Sequence, residues 1–296
     1  MKQYVLIDGN AIGYAQQLGM NRLSCGDQAT HALYGFLLAL RKLAMPTTND
    51  RIPVVLWDGN ASWRKEIDSN YKANRRDDEK KIAIKDEYSS QVPFIRAGIR
   101  MLGIDQIVSP TCEADDLAGA FSKLLDKQGY LVELVTGDQD WLQLVTPNVT
   151  WSDPIRDRKV DIMSFEDFTN YPNTQAFLHA KCLQGDTSDN IKGVGGIGAK
   201  GAKELIDEYG DVFGFFKNAD PTIKMKAAWK RLLDNPEPFW TNLSLMTLDG
   251  KHKSIRDRII SKGEWNPGGF ERMCHDFSMF SVTANIDQWL VPFDKH

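Results

Sequence analysis

The chain has 296 residues, 42% of them hydrophobic, and a formal net charge of −4. That is enough apolar material for a well-buried core and two domains. No run of about eighteen apolar residues occurs, the opening MKQYVLIDGN turns polar too early for a signal peptide, and Cys25, Cys112, Cys182 and Cys274 form no C-x-x-C. These features argue against membrane, secreted disulfide-framework and zinc-site classes, and a soluble, cytoplasmic monomer without membrane contact is expected.

Tyr4 to Ile7 is an apolar run of strand length that stops at the turn formers Asp8-Gly9-Asn10. Gln28 to Leu43 then carries Ala32, Leu33, Phe36, Leu37, Leu40 and Leu43 at helical spacing, which predicts a core-facing helix. Pro53 to Trp57 is a second strand ending in Asp58-Gly59, and residues 60 to 91 are the one long polar stretch. Glu113 to Asp126 has helical spacing through Leu117, Phe121, Leu124 and Leu125; the strand Leu131 to Val135 follows and ends in Thr136-Gly-Asp-Gln-Asp140. Strands alternating with helices predict an α/β fold with a mainly parallel central sheet flanked by helices. Beyond about Asn170 helical segments and glycine turns take over, so the expected domains are residues 1–172 and 173–296.

In the second domain, Gly193, Gly195 and Gly198 satisfy G-x-G-x-x-G. A dinucleotide fingerprint needs a buried strand running into the first glycine, and here residues 186 to 192 are polar. A P-loop needs Lys directly after the last glycine, and Ala199 intervenes before Lys200. The glycines lead instead into an amphipathic helix with Ala202, Leu205 and Ile206 on one face and Lys200 and Lys203 among the polar positions. Its N-terminus points free N–H groups at something anionic.

The acids carry the chemistry. Asp8, Asp58 and Asp138 each follow a predicted strand, and ligands collect at the carboxyl ends of parallel strands. Glu113, Asp115 and Asp116 open a helix, Asp140 lies two residues beyond Asp138, and Asp186 and Asp189 come from the glycine-rich segment. One acid after a strand is ordinarily a turn residue or helix cap. Several on one edge repel each other unless cations neutralise them. Carboxylates without His or Cys suit a hard, oxygen-loving ion, Mg2+ or Mn2+ in its place, and a pair of such ions about 4 Å apart serves phosphodiester hydrolysis. Taking these nine negative charges from the net −4 leaves +5 on the remainder, as a binder of phosphate backbones should have.

The segments VLIDGN, VVLWDG, NYKANR, CEADD, TGDQDWLQL and GDTSDNIKGVGGIGAK resemble, in order and approximate spacing from Asp8 to about Tyr209, the signature blocks of the structure-specific 5′-nucleases. That family comprises flap endonucleases and 5′→3′ exonucleases, and the likeness is strongest to its free-standing phage-type enzymes. The resemblance implies a catalytic domain with a helical arch over the active site, about residues 60 to 91, and a helix-three-turn-helix that grips duplex DNA, about residues 173 to 209. It places all nine acids at metal-ligand positions for two Mg2+ ions, gives Asp116 and Asp138 a catalytic part, and puts Gly193, Gly195, Gly196 and Gly198 in the DNA-gripping turn with Lys200 and Lys203 behind it. A potassium ion held there by main-chain oxygens is implied as well.

In the polar stretch, Arg64, Lys65, Tyr71, Lys72, Arg75 and Arg76 read from composition alone as a solvated surface helix. By the resemblance, Lys72 and Arg75 match arch positions at the scissile phosphate, where a fixed cation stabilises developing charge. Arg64 joins them as a nucleic-acid contact, and Tyr71 either stacks on an unpaired base or packs. The expected function is a metal-dependent nuclease of DNA replication or repair. It would cleave at or near a 5′ end, at flaps, nicks and duplex ends, and leave 5′-phosphate products. The alternatives are an RNA-directed nuclease removing primers from RNA–DNA hybrids, and a non-catalytic binder of DNA structures. A stand-alone replication enzyme in a host-cell cytoplasm is the expected setting.

Overall fold

The computed structural model describes residues 2–45, 50–76, 79–248 and 256–294, with residues 75 and 76 described in backbone only. In chain order, β1 (Lys2–Asp8) leads to α1 (Gly9–Gly19), a small hairpin of β2 (Ser24–Cys25) and β3 (Gln28–Ala29), α2 (His31–Ala44), β4 (Asp50–Trp57) and α3 (Ser62–Ile67). A 3₁₀ turn (Ala73–Arg76) precedes α4 (Glu79–Met101), β5 (Asp105–Val108), α5 (Ala114–Lys127) and β6 (Leu131–Val135). A second 3₁₀ turn (Gln139–Leu144), β7 (Val149–Asp153), β8 (Arg158–Val160) and α6 (Phe165–Thr169) follow. Five helices come next: α7 (Thr174–Gln184), α8 (Ala199–Tyr209), α9 (Val212–Asn218), α10 (Ala227–Asp234) and α11 (Glu237–Met246). The chain closes with β9 (Ile259–Ser261), α12 (Pro267–Asp276), α13 (Phe280–Thr283) and α14 (Ile286–Leu290).

Val5, Leu6 and Ile7 are buried on both faces of β1, as a central strand covered by helices on each side requires. The large sheet runs β8-β7-β6-β1-β4-β5-β9, its inner five strands parallel and its two edge strands antiparallel. The chain builds outward from β1 through β4 to β5, then crosses to β6 on the other side of β1. That reversal opens a crevice at the carboxyl ends of β1 and β6, where a doubly wound sheet holds its ligand.

Two cores cover the sheet. On one face Val5 and Ile7 pack with Leu33, Phe36 and Leu40 of α2 and Ile95 and Ile99 of α4. On the other, Leu6 and Leu134 pack with Leu117 and Ala118 of α5 and with Trp141 and Trp151. A third core, with Leu183, Leu205, Ile206, Phe215 and Phe239 among its members, is built mainly by helices α7 to α11 and takes in Ala61 and Tyr71 as well.

The structure departs from the expected domain division at the C-terminus. β9 pairs with β5 in the main sheet, Ile260 opposite Ile107. Phe270, Met273, Cys274, Trp289, Leu290 and Phe293 join the core of Val5 and Ile7. Residues 259–294 therefore belong to the sheet-bearing body, and the helical unit ends near Leu248. An amphipathic helix reads the same whichever core it enters, so sequence spacing did not separate the two cases. The predicted helix from Gln28 also starts later, at His31, because Gln28–Ala29 is spent on a hairpin.

If the tail shares the core of the main sheet, Phe270→Ala should cost about 3–5 kcal/mol, the usual range for emptying a buried aromatic site. Denaturant unfolding of the full chain measures it. A loss below about 1 kcal/mol would detach the tail from that core.

Candidate active site

Parallel pairing brings the strand-following acids together. Asp8 is in register with Leu56 of β4 and Ile7 with Val135 of β6, so Asp58 and Asp138 leave their strands at the same sheet edge as Asp8. Each carboxylate is oriented by a donor. Asp8 accepts from the Ala11 amide at the start of α1 (2.9 Å) and from Thr136 Oγ1 (2.9 Å). Asp58 accepts from the Ala114 amide at the start of α5 (2.8 Å) and from Asn10 Nδ2 (2.6 Å). Asp115 accepts from Trp141 Nε1 (2.7 Å), and Asp138 caps the following 3₁₀ turn through the Asp140 amide (2.8 Å).

Cations from three other elements enter this edge. Lys72 Nζ lies 2.5 Å from Glu113 Oε1 and 3.6 Å from Asp189 Oδ2. Lys181, in the last turn of α7, pairs with Asp140. Arg64 of α3 is 2% exposed at its side chain and forms a fork to Asp116, with Nη1 2.8 Å from Oδ2 and Nη2 2.7 Å from Oδ1. Nη1 also reaches Glu113 Oε2 at 3.0 Å, and Nε donates to the Leu245 carbonyl at 2.9 Å.

Two expectations, for Arg64 and Asp116, are corrected by this geometry, and of the two readings of Tyr71 it favours packing. Arg64 is buried against two carboxylates and the end of α11, so it offers nothing to a nucleic acid directly. Tyr71 is buried, and its hydroxyl donates to Glu113 Oε2 (2.9 Å) and contacts Asp189 Oδ2 (3.1 Å), which leaves its ring no face for a base. Asp116 has its oxygens committed to Arg64, to Trp63 Nε1 (3.4 Å) and to the Glu113 amide (3.1 Å). It is buried and positions Glu113 and Arg64. The side chain of Arg75 lies outside the described residues.

The remaining acids are under electrostatic load. Burial, then the neighbouring Asp58, pushes Asp8 up to about 7. Burial, then Asp138 and Glu113, holds Asp115 well above the usual carboxylate range. Glu113 goes the other way: although burial opposes it, Lys72 and Arg64 hold it below its ordinary value. Glu113 is thus neutralised by protein cations, whereas for Asp8 and Asp115 burial and the neighbouring acids prevail. An all-oxygen, anion-rich donor set of this kind fits hard divalent cations. Among the described residues no three of these side chains stand ready as the ligands of a single ion, so the expected cluster is not preformed.

The glycine segment connects α7 to α8. Asp186 and Ile191 form a small antiparallel bridge, and Asp186 Oδ1 accepts from the Ser188 amide and hydroxyl, both at 2.7 Å. Gly195 and Gly196 have φ of +60° and +77°, values that side chains rarely adopt, and Gly198 caps α8. Gly193 and Lys200 are exposed here, whereas Lys203 pairs with Asp207 within α8. The turn is also joined to the base of the polar stretch: the Lys72 amide donates to the Asp189 carbonyl (2.9 Å), Asn190 Nδ2 to the Asn70 carbonyl (2.8 Å), and Asn74 Nδ2 to the Thr187 carbonyl (2.8 Å).

Asn10, Thr136 and Lys181 were not singled out from the sequence. Asn10 and Thr136 flank the strand-end acids, and their position in polar turns beside buried strands was the available signal. Lys181 gave none, because its partner Asp140 belongs to a different domain.

Comparison with known proteins agrees with this architecture. Residues 3–171 match the 5′–3′ exonuclease N-terminal resolvase-like domain, and residues 173–256 match the 5′–3′ exonuclease C-terminal SAM fold. DNA polymerase I of Streptococcus pneumoniae is 31% identical over 265 residues, which cover 84% of this chain but 29% of that protein; the chain thus spans under a third of that relative's length. The T5 5′-exonuclease with bound zinc ions superposes with a TM-score of 0.71 at 20% identity, covering 98% of both chains. The catalytic core of Rad2 in complex with DNA gives a TM-score of 0.58 at 16% identity, covering 100% of this chain and 92% of that one. The two superpositions show a shared fold, and the paired domain matches, in order and over most of the chain, show that the chain belongs to the 5′–3′ exonuclease family.

Proposed function

We propose that this chain is a divalent-metal-dependent 5′-nuclease that hydrolyses DNA phosphodiesters at or near a 5′ end, at flaps, nicks and duplex ends, leaving 5′-phosphate products. The observation that carries the proposal is the convergence of Asp8, Asp58, Asp115 and Asp138 on the crevice between β1 and β6, with too few protein cations to balance them. Asp8, Asp58, Glu113, Asp115 and Asp138 would hold one part of a two-ion centre, and Asp140, Asp186 and Asp189 the other. When bound, Mg2+ or Mn2+ supplies charge compensation for the attacking and leaving oxygens and acidifies water.

The protein's own residues do the rest. The turn at Gly193 to Gly198 and Lys200 receives the backbone of the duplex, where small residues admit phosphates to main-chain N–H groups. A potassium ion at this turn would sit on main-chain oxygens. Lys72 is the cation nearest the acid cluster on the arch side. We assign it to the scissile phosphate, which displaces it from Glu113 on binding. Arg75, at the same arch base, is assigned to that phosphate too. Lys203 stays in its ion pair as a peripheral charge. We place the reaction in the cytoplasm, by a monomer, with DNA preferred over RNA in the 5′ strand.

Two measurements test the proposal. Asp138→Asn keeps the shape and removes a charge, so Mg2+-dependent cleavage of an end-labelled 5′ flap should fall by at least roughly a thousandfold. Duplex binding in Ca2+ should hold or tighten, because phosphate repulsion falls. Parallel loss of binding and cleavage would remove Asp138 from the centre. An all-RNA 5′ strand cut as fast as DNA would favour the primer-removing alternative.

Lys72→Ala addresses the arch. A donor aimed at developing phosphate charge contributes more to the transition state than to binding, so single-turnover cleavage at saturating enzyme should drop about a hundredfold to a thousandfold. A rate within a few-fold of wild type would leave Lys72 only its structural ion pair with Glu113.

A further inference from the structure

The DNA-gripping turn is held from outside by a helix that belongs to none of the recognised sequence blocks. α10 lies directly against Gly195, where a Cβ would stand 3.1 Å from the Ala228 carbonyl oxygen and 3.5 Å from Arg231 Cβ. Arg231 Nε donates to the Gly195 carbonyl at 2.8 Å, and its Nη2 passes over Gly196, 3.3 Å from where a Cβ would be. The guanidinium therefore lies across the two residues whose positive φ shapes the turn.

The charge of Arg231 is uncommitted, unlike that of its neighbours. Lys226 pairs with Glu204 at 2.6 Å and Lys230 with Asp234 at 3.0 Å, whereas Arg231 is exposed and, among the described residues, meets a neutral carbonyl and no carboxylate. A guanidinium carries five N–H donors in a planar fork, so one bond from Nε leaves both Nη groups free for a planar, bidentate acceptor. Lys192 and Lys200, exposed on the same turn, add positive charge beside it.

We propose that Arg231 is a nucleic-acid-contact residue: it fixes the Gly195–Gly196 backbone through Nε and presents its Nη groups to a phosphate of duplex DNA seated on the turn. The proposal rests on the reading of this turn as the duplex-binding site and adds a contact from α10. Arginine suits both tasks because lysine, with a point charge, would have to choose between carbonyl and phosphate.

The test is equilibrium binding of the full chain to a DNA duplex with a 5′ overhang, in Ca2+, across a series of salt concentrations. A protein that neutralises phosphates loses affinity linearly in log salt, with a slope of about 0.9 per contact. Arg231→Ala should weaken binding roughly tenfold at 0.1 M salt and reduce the slope by about that one contact. Arg231→Lys should restore the slope while recovering only part of the affinity, because the carbonyl bond is lost. Thermal melting of each variant should stay within a few degrees of wild type, since the side chain is exposed and gives up one hydrogen bond. Wild-type affinity and slope in Arg231→Ala, or weakened binding with an unchanged slope, would overturn the phosphate contact. A wild-type chain showing no salt-dependent duplex binding would overturn the nuclease reading and this contact with it.

Discussion

Mutual repulsion of carboxylates in the crevice between β1 and β6 is the constraint around which the molecule is arranged. Parallel pairing of β1, β4 and β6 forces Asp8, Asp58 and Asp138 to one edge, and the start of α5 adds Glu113 and Asp115. The sheet cannot separate them without losing its register. Compensation therefore comes from elsewhere: Arg64 from α3, Lys72 from the segment between α3 and α4, and Lys181 from the helical unit. Even so, Asp8 and Asp115 hold their protons more tightly than ordinary carboxylates, the condition under which divalent cations bind with most to gain.

The same cations join the parts of the chain. Arg64 reaches from α3 to Asp116 of α5 and to the Leu245 carbonyl at the end of α11, so one buried guanidinium ties α3, α5 and the helical unit. Buried ion pairs add little net stability against apolar alternatives, but removing one partner is costly, and such pairs suit the task of fixing relative position. Around Lys72, three backbone-directed hydrogen bonds join residues 70–74 to residues 187–190. The glycine turn is thereby set at a fixed distance from the acids, as the proposed cleavage near a junction requires.

The strands ending in Asp8, Asp58 and Asp138 were legible because a buried run that stops at an acid and a glycine leaves few other readings. Short strands such as Asp105–Val108 and Ile259–Ser261 were not, since three or four residues carry too little periodicity. Within the site, the sequence showed which residues are charged but not which charges face one another. Arg64 and Lys72 belong to one basic stretch, yet Arg64 is sealed behind Asp116 while Lys72 faces the acid cluster. Burial decides between those roles, and burial of a charge depends on partners distant in sequence. Arg231 was invisible for the same reason, because its partner is a main-chain carbonyl of the turn.

The central claim is that the acids at the crevice bind divalent cations by exchanging protons for them. Calorimetric titration of Mg2+ into the DNA-free protein, in buffers of different ionisation enthalpy, reads it directly. Burial and the neighbouring Asp58 push Asp8 up to about 7, so a proton competes with a metal for its carboxylate as pH falls. The account predicts saturable binding that releases protons at pH 6.5, with less release and higher affinity at pH 8. Absence of saturable Mg2+ binding, or binding with no proton release at pH 6.5, would contradict it.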